Sequence, residues 1–265
     1  MTTWDAIQSW DLVLPPSRPS TYHLDCIARV LSVTDRVRPV GVLGSTPEFR
    51  DLLVEMGFTR IYVFDNNIGS YERMSRLRIY SGQEEFVFGH WLETLPTFDG
   101  ELAVLLSDLT SGNLTYEERA DFYCAITRAL SHEGLFIDKV LTHPTPHLDL
   151  NELEEKYRRR ALNIFELNRF SCEFFFCSQL LGIVNVVDTN LFYSELDNRL
   201  SHPRLRAFLR EVPKVTPRDC IWYYGRSWDL LEGDYCRDLH PSAVFEDEDG
   251  SPYKGRLKLF ILRKK

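Results

Sequence analysis

The chain has 265 residues, 44% of them apolar and 26% charged, with 31 Lys and Arg against 39 Asp and Glu for a formal charge of -8. This is globular composition with room for a sizeable core, and it excludes a disordered, collagenous or low-complexity chain. The acidic balance disfavours nucleic acid and anionic membranes as general partners, and the basic clusters at 156–160 and 204–210 sit in helix-like stretches where charge ordinarily solvates a face.

From the N-terminus, residues 1–35 read as a helical lid, interrupted at Pro15-Pro16-Ser17-Arg18-Pro19-Ser20, where the prolines forbid a continuous helix. Asp5 and Gln8 without a basic flank do not suit a secretory signal, which predicts a cytoplasmic protein. From Pro39 onward, short apolar runs alternate with helical ones, the pattern of parallel β-α units. The run 40–43 ends at Gly44-Ser45-Thr46, and Pro47 suits the first position of a helix with Thr46 as its N-cap.

A second strand, 61–64, ends at Asp65-Asn66-Asn67, and a third, 86–88, ends at Gly89-His90-Trp91. The continuous apolar run 102–106 suits a strand buried on both faces and delivers Ser107-Asp108 to its carboxyl end. Thr115 and Glu118 form a capping box that opens a helix through Leu130, and Gly134 precedes a strand over 135–141. Residues 148–215 break the rhythm with helices rich in aromatics (Tyr157, Phe165, Phe170, Phe174, Phe175, Phe176, Phe192) and read as an inserted cap. The sheet is expected to resume at 221–224 and to end with 257–263, after a hairpin turn at Asp249-Gly250.

The predicted architecture is therefore a doubly wound, mostly parallel α/β sheet. Its cofactor-binding domain spans 36–147 and 216–265, the helical lid spans 1–35 and the cap 148–215.

Ligands of such sheets sit beyond the carboxyl ends of the strands, near the point where strand order reverses. Gly44 allows close backbone approach, and the helix start at Thr46-Pro47 turns free N–H groups toward an anionic group. Asp65 lies 21 residues after Gly44, a spacing that lets a carboxylate accept both hydroxyls of a ribose; its alternative role is capping the next helix. A nucleoside-like cofactor follows. NAD is disfavoured, because Gly41-Val42-Leu43-Gly44-Ser45-Thr46 cannot supply the three glycines of a dinucleotide loop.

Together, Val40-Gly41-Val42-Leu43-Gly44-Ser45, Ile61-Tyr62-Val63-Phe64-Asp65, Gly89-His90-Trp91 and Leu105-Leu106-Ser107-Asp108 resemble the class I S-adenosylmethionine-dependent methyltransferases over about residues 38–141 plus the terminal strands. The resemblance implies a seven-stranded sheet whose last strand is antiparallel, with S-adenosyl-L-methionine as cofactor. It places Gly44, Ser45 and Thr46 under the methionine part, Asp65 and Asn66 at the ribose, and His90 and Trp91 at the adenine, Trp91 having core packing as its alternative. Asp108 and Leu109 would lie near the sulfonium and amine. His90 departs from the family, which often has an acidic residue there, and the first loop lacks the family's further glycines.

Methyl transfer from a sulfonium is an in-line displacement that needs alignment and exclusion of water, and a hydroxyl or ammonium acceptor also needs a base. His143, just after the fifth strand, is the first candidate, with Asp108 and His147 behind it. Arg18 and Tyr22 would fold over the cofactor carboxylate as a lid, with an exposed loop arginine as the alternative. A small, partly apolar acceptor enclosed by the cap is expected, with a homodimer left open. The alternatives are a non-methylating S-adenosylmethionine-binding regulatory or scaffold protein and an NAD-dependent oxidoreductase.

The six cysteines (Cys26, Cys124, Cys172, Cys177, Cys220, Cys236) contain no C-x-x-C pair and suit reduced thiols. Cys220, Cys236 and His240 lack a fourth zinc ligand, so no metal is expected. The most apolar stretch, 172–187, is broken by Glu173 and Gln179 and is too short to span a bilayer.

Overall fold

A computed structural model describes residues 10, 13, 15–142, 150–160, 163, 166, 169–170, 173, 186–209, 220–223, 233, 235, 238–248, 251 and 253–265. The chain divides into two compact units, Arg18–Thr142 with Gly225–Lys265, and Met1–Ser17 with His143–Tyr224.

The first unit is built on a seven-stranded sheet in the order β3-β2-β1-β4-β5-β9-β8. Its strands are β1 (Val40–Leu43), β2 (Ile61–Asp65), β3 (Glu84–Phe88), β4 (Leu102–Asp108), β5 (Leu130–Leu141), β8 (Leu239–Glu246) and β9 (Leu257–Lys264). The first five run parallel, and β9 is antiparallel to both β5 and β8. Chain order reverses between β1 and β4, so the crevice that such a reversal opens lies beyond Leu43 and Asp108.

The central strands are apolar because helices cover both faces: all of β1 and all but the last residue of β4 are buried. A Cβ on Gly41 would lie 2.7 Å from Leu105 and 2.8 Å from Phe64, so this glycine lets the neighbouring side chains meet over β1. One core cluster joins Leu43, Phe64, Leu105 and Phe136 to Phe122 and Ile126 of helix α5 (Tyr116–Ala129). The other joins Val40, Val42, Val104 and Leu106 to Ile27 and Leu31 of α1 (Thr21–Leu31) and to Phe49 and Leu53 of α2 (Pro47–Glu55). Helices α3 (Ile68–Ser75) and α4 (Trp91–Thr94) follow β2 and β3.

Local signals explain most boundaries. The Thr115–Glu118 capping box is present in full. Pro47 does open α2, but Thr46 makes no side-chain cap bond, in contrast to the expectation. The helix expected to run through Leu130 stops at Ala129, and β5 starts there. Leu130 pairs with Leu102 and Leu135 with Val104, so the extra residues bulge from the ladder around Gly134 rather than forming a turn before the strand. Gly134 is required there because a Cβ would lie 2.9 Å from the Ser131 carbonyl oxygen.

In the other unit, Val186–Asp188 (β6) and Ile221–Tyr223 (β7) form a separate antiparallel pair. The run at 221 thus does not resume the main sheet as expected. Ile221 is 55% exposed, as a short strand pairing on one edge can be but a central strand cannot. Tyr157, on the helix Leu150–Arg158 (α6), meets Phe170 edge-on at 5.0 Å, and Lys156 pairs with Glu173 at 2.6 Å. The basic run at 156–160 is ion-paired, with Arg159 on Glu155 at 2.6 Å and Arg160 on Glu166 at 2.9 Å. Helices Thr189–Arg199 and Pro203–Leu209 complete the described part of this unit. Phe165, Phe174, Phe175, Phe176, Tyr224, Trp228, Cys172, Cys177, Cys236, Asp249 and Gly250 lie outside the described residues. Among the described residues, no helix is long and apolar enough to cross a membrane, and no three His, Cys, Asp or Glu side chains are placed to hold a metal.

Candidate functional site

Four of the strand ends flagged in the sequence form one rim along β3-β2-β1-β4. The backbone ties them together. The Gly44 N–H donates to the Phe64 carbonyl at 2.8 Å, and the Gly89 N–H to the Asp65 carbonyl at 3.2 Å. The Trp91 indole N–H donates to the Phe64 carbonyl at 2.9 Å, and the Thr110 hydroxyl to the Leu43 carbonyl at 3.4 Å. Gly44 adopts φ 78°, a left-handed conformation that favours glycine, and a Cβ there would meet nothing within 4 Å. The first loop therefore offers bare backbone facing open space.

Leu109, immediately after Asp108, is also left-handed, with φ 56°. A leucine in that conformation costs on the order of 1–2 kcal/mol, a strain that clusters at functional sites. Its N–H is held by the Lys139 carbonyl at 3.0 Å.

Asp65 is buried at the end of β2. Its Oδ2 accepts the Ser45 hydroxyl at 2.6 Å and its Oδ1 the Asn67 N–H at 3.0 Å. Burial raises its pKa, opposed by the Ser45 hydroxyl, the Asn67 and Asn66 N–H groups and the Arg50 charge. Its alternative role as the helix cap is filled by Asn67, whose side chain accepts the Ser70 N–H at 3.1 Å. Asn66 is exposed beside it.

His90 caps α4, its Nδ1 accepting the Leu92 N–H at 3.4 Å. With Nδ1 so engaged, the neutral ring carries its proton on Nε2, which can donate to a ring nitrogen but cannot accept an exocyclic amino group. Trp91 is half-buried and lies 6.1 Å from Phe122, centroid to centroid. Its indole thus both packs and anchors α4 to β2.

Asp108 is ion-paired with Lys139, and the side chains of both are buried. Burial raises the Asp108 pKa; Lys139 opposes this, Glu48 adds to it and Arg18 subtracts from it. Arg18 itself pairs with Glu48, in the first turn of α2, at 2.8 Å. It is thus neither an exposed loop residue nor free of protein partners. Tyr22, on α1, is half-buried against the cluster that contains Ile27 and Phe49. His143 and His147 lie outside the described residues.

Residues that sequence reasoning missed are Glu48, Arg50, Lys139 and Asp138. The last two had a legible signal: adjacent opposite charges inside the apolar run of β5, where a central strand ordinarily carries none. Asp138, fully buried on β5, accepts the Tyr235 hydroxyl at 2.8 Å. Burial lifts its pKa to about 7, against the pull of Ser107, Tyr235 and Arg119 and with a further push from Asp108.

No family profile matches the sequence. A curated relative, the phenylalanine–tRNA ligase alpha subunit of Methanocorpusculum labreanum, is 24% identical over 222 residues, 78% of this chain and 43% of that protein. The chain thus spans less than half the length of the curated relative it matches. Among solved structures, a SAM-dependent methyltransferase of Methanosarcina mazei superposes with a TM-score of 0.51 at 12% identity, over 89% of this chain and 96% of that one. The PH0226 protein of Pyrococcus horikoshii OT3 gives 0.53 at 14%, over 96% and 97%. A structure from Rhodobacter sphaeroides named for Zn-dependent alcohol dehydrogenases gives 0.64 at 14%, over 99% and 97%. With the strand order and the antiparallel β9, these likenesses define the fold. It is the class I methyltransferase fold.

Proposed function

We propose that the chain binds S-adenosyl-L-methionine at this rim and transfers its methyl group to a small-molecule acceptor. The observation that carries the reading is the first loop tied to Asp65 through Ser45: bare left-handed backbone at Gly44 facing open space, next to a residue whose hydroxyl holds the buried carboxylate at the end of β2. When bound, the cofactor supplies an electrophilic methyl group on a sulfonium.

The residues of the chain would do the rest. Asp65 accepts the ribose hydroxyls, with Ser45 fixing the carboxylate and Asn66 alongside. The Nε2–H of His90 donates to an adenine ring nitrogen, Trp91 lines the same end, and the Gly44-Ser45-Thr46 backbone and Leu109 border the methionine part. A proton taken by Asp108 would break its buried ion pair with Lys139, a cost set against the upward push of burial on its pKa. Removal of the acceptor proton therefore falls to His143 in this proposal, with His147 behind it. Arg18 would reach the cofactor carboxylate by exchanging its bond to Glu48, with Tyr22 behind it on α1. The acidic charge favours a small acceptor over a polyanion.

Calorimetric titration with S-adenosylmethionine and S-adenosylhomocysteine, with NAD and NADP as controls, tests the reading. Micromolar binding of the S-adenosyl compounds alone supports it, and binding of NAD alone replaces it with an oxidoreductase. Binding without turnover over a broad acceptor screen would favour the regulatory or scaffold alternative. The Asp65→Ala variant is expected to weaken S-adenosylhomocysteine binding by more than about tenfold; an unchanged dissociation constant removes the ribose assignment.

A further inference from the structure

Helices α2 and α3 and strand β3 share a buried charge network whose centre is Arg50. The Arg50 side chain is fully buried. Its guanidinium grips the Glu84 carboxylate with two nitrogens, Nε donating to Oε2 at 3.0 Å and Nη2 donating to Oε1. Nη2 also donates to Ser75 Oγ at 2.6 Å, and the Tyr71 ring lies under the charge at 4.8 Å. Glu84 is held further by the Tyr71 hydroxyl at 3.0 Å and by Arg78 at 2.9 Å. The remaining arm of Arg50, Nη1, reaches out of this network to the Ser45 carbonyl at 3.3 Å. The hydroxyl of that same Ser45 donates to Asp65.

We propose that Arg50 is a positioning residue for the nucleoside end of the cofactor site, fixing the Ser45 loop so that the Ser45 hydroxyl and the Asp65 carboxylate stand in one arrangement. The inference rests on the S-adenosylmethionine reading and adds to it a part with no contact to the cofactor. A planar fork suits the task and a lysine does not, since one point charge cannot hold both Glu84 oxygens and a carbonyl across the loop. Arg50 also contributes positive charge beside Asp65 and so favours the ionised carboxylate that ribose hydroxyls require. The other groups acting on Asp65 are the Ser45 hydroxyl from the first loop and the Asn66 and Asn67 N–H groups of its own turn. β3 presents Phe88 opposite it and carries Glu84, already held by Arg50, and His90 is the titratable group at the adjoining cap of α4.

The test uses the full chain and S-adenosylhomocysteine as probe, with dissociation constants measured by calorimetry between about pH 5.5 and 8.5. Two variants are compared with the unmodified chain: Arg50→Lys, which keeps the charge, and Arg50→Met with Glu84→Gln, which removes Arg50 together with the carboxylate it would otherwise strand, while Arg78 keeps its pair with Asp51 at 3.1 Å. The expected result is a loss of about tenfold in affinity at pH 7 for both. In the double variant, part of that loss is regained as pH rises, because Asp65 there ionises at higher pH. A purely structural role would lower the melting temperature without moving the pH profile. Binding by both variants with the unmodified affinity and profile overturns the inference. If the double variant does not fold, Arg50→Lys decides by its affinity alone. Absence of binding by the unmodified chain instead overturns the cofactor reading itself.

Discussion

Two buried groups on opposite faces of the sheet are expected to give the protein a pH profile of stability that single substitutions can take apart. Asp138 holds its proton up to about pH 7 in the folded state, against an ordinary carboxyl value of 3.8, because burial disfavours its charge. Between those values the folded state binds the extra proton, so stability falls as pH rises, by about 1.36 kcal/mol per pH unit and on the order of 4 kcal/mol in all. His23, fully buried on α1, has its pKa lowered from 6.5 to about 4 by burial and by the Lys139 charge, with Asp247 opposing. Ser20 Oγ lies 2.9 Å from its Nδ1 and Asp247 lies 3.5 Å from its Nε2. Here the unfolded chain binds the extra proton, so stability rises with pH between about 4 and 6.5, by on the order of 3 kcal/mol.

In the unmodified chain these slopes oppose each other between about pH 4 and 6.5, leaving a decline only between about pH 6.5 and 7 and a level profile above it. Asp138→Asn, which can keep the Tyr235 bond, should unmask the histidine: stability climbs from pH 4 to 6.5 and then stays level. His23→Gln should unmask the carboxyl: stability falls steadily from pH 4 to 7. Urea unfolding followed by far-ultraviolet circular dichroism at half-unit pH steps measures both. Three parallel curves would refute the reasoning, since they would mean that neither group changes its proton affinity on folding.

Two further predictions concern the rim. Gly44→Ala should cost about 1–2 kcal/mol from the left-handed backbone alone, since the added methyl clashes with nothing, yet weaken S-adenosylhomocysteine binding beyond that because the methyl enters the open space; thermal melting and calorimetry on one preparation separate the two. Lys139→Met should destabilise by about 3–5 kcal/mol by stranding Asp108, and adding Asp108→Asn should restore most of the loss; urea midpoints check this, and an equal loss in both variants would deny that the buried pair is the cause.

The sequence by itself determined the order of β-α units, the strand ends at Gly44, Asp65, Gly89 and Asp108, and the capping box at Thr115, because each depends on neighbours a few residues apart: periodicity, a glycine, a cap. It misplaced 221–223, since three apolar residues pair as readily with Val186–Asp188 as with the main sheet and nothing local chooses between them. It ended α5 one residue late and missed the bulge at Gly134, which exists only through the mismatch of β5 with β4. The site divides in the same way. That Asp65 stands at a strand end was legible; that Ser45 holds it, and that Arg50 reaches Ser45 while gripping Glu84, 34 residues away, was decided by the tertiary structure. Burial withdraws solvent from charged side chains and obliges them to find partners among whatever the fold brings near, and that choice is made in space, not along the chain.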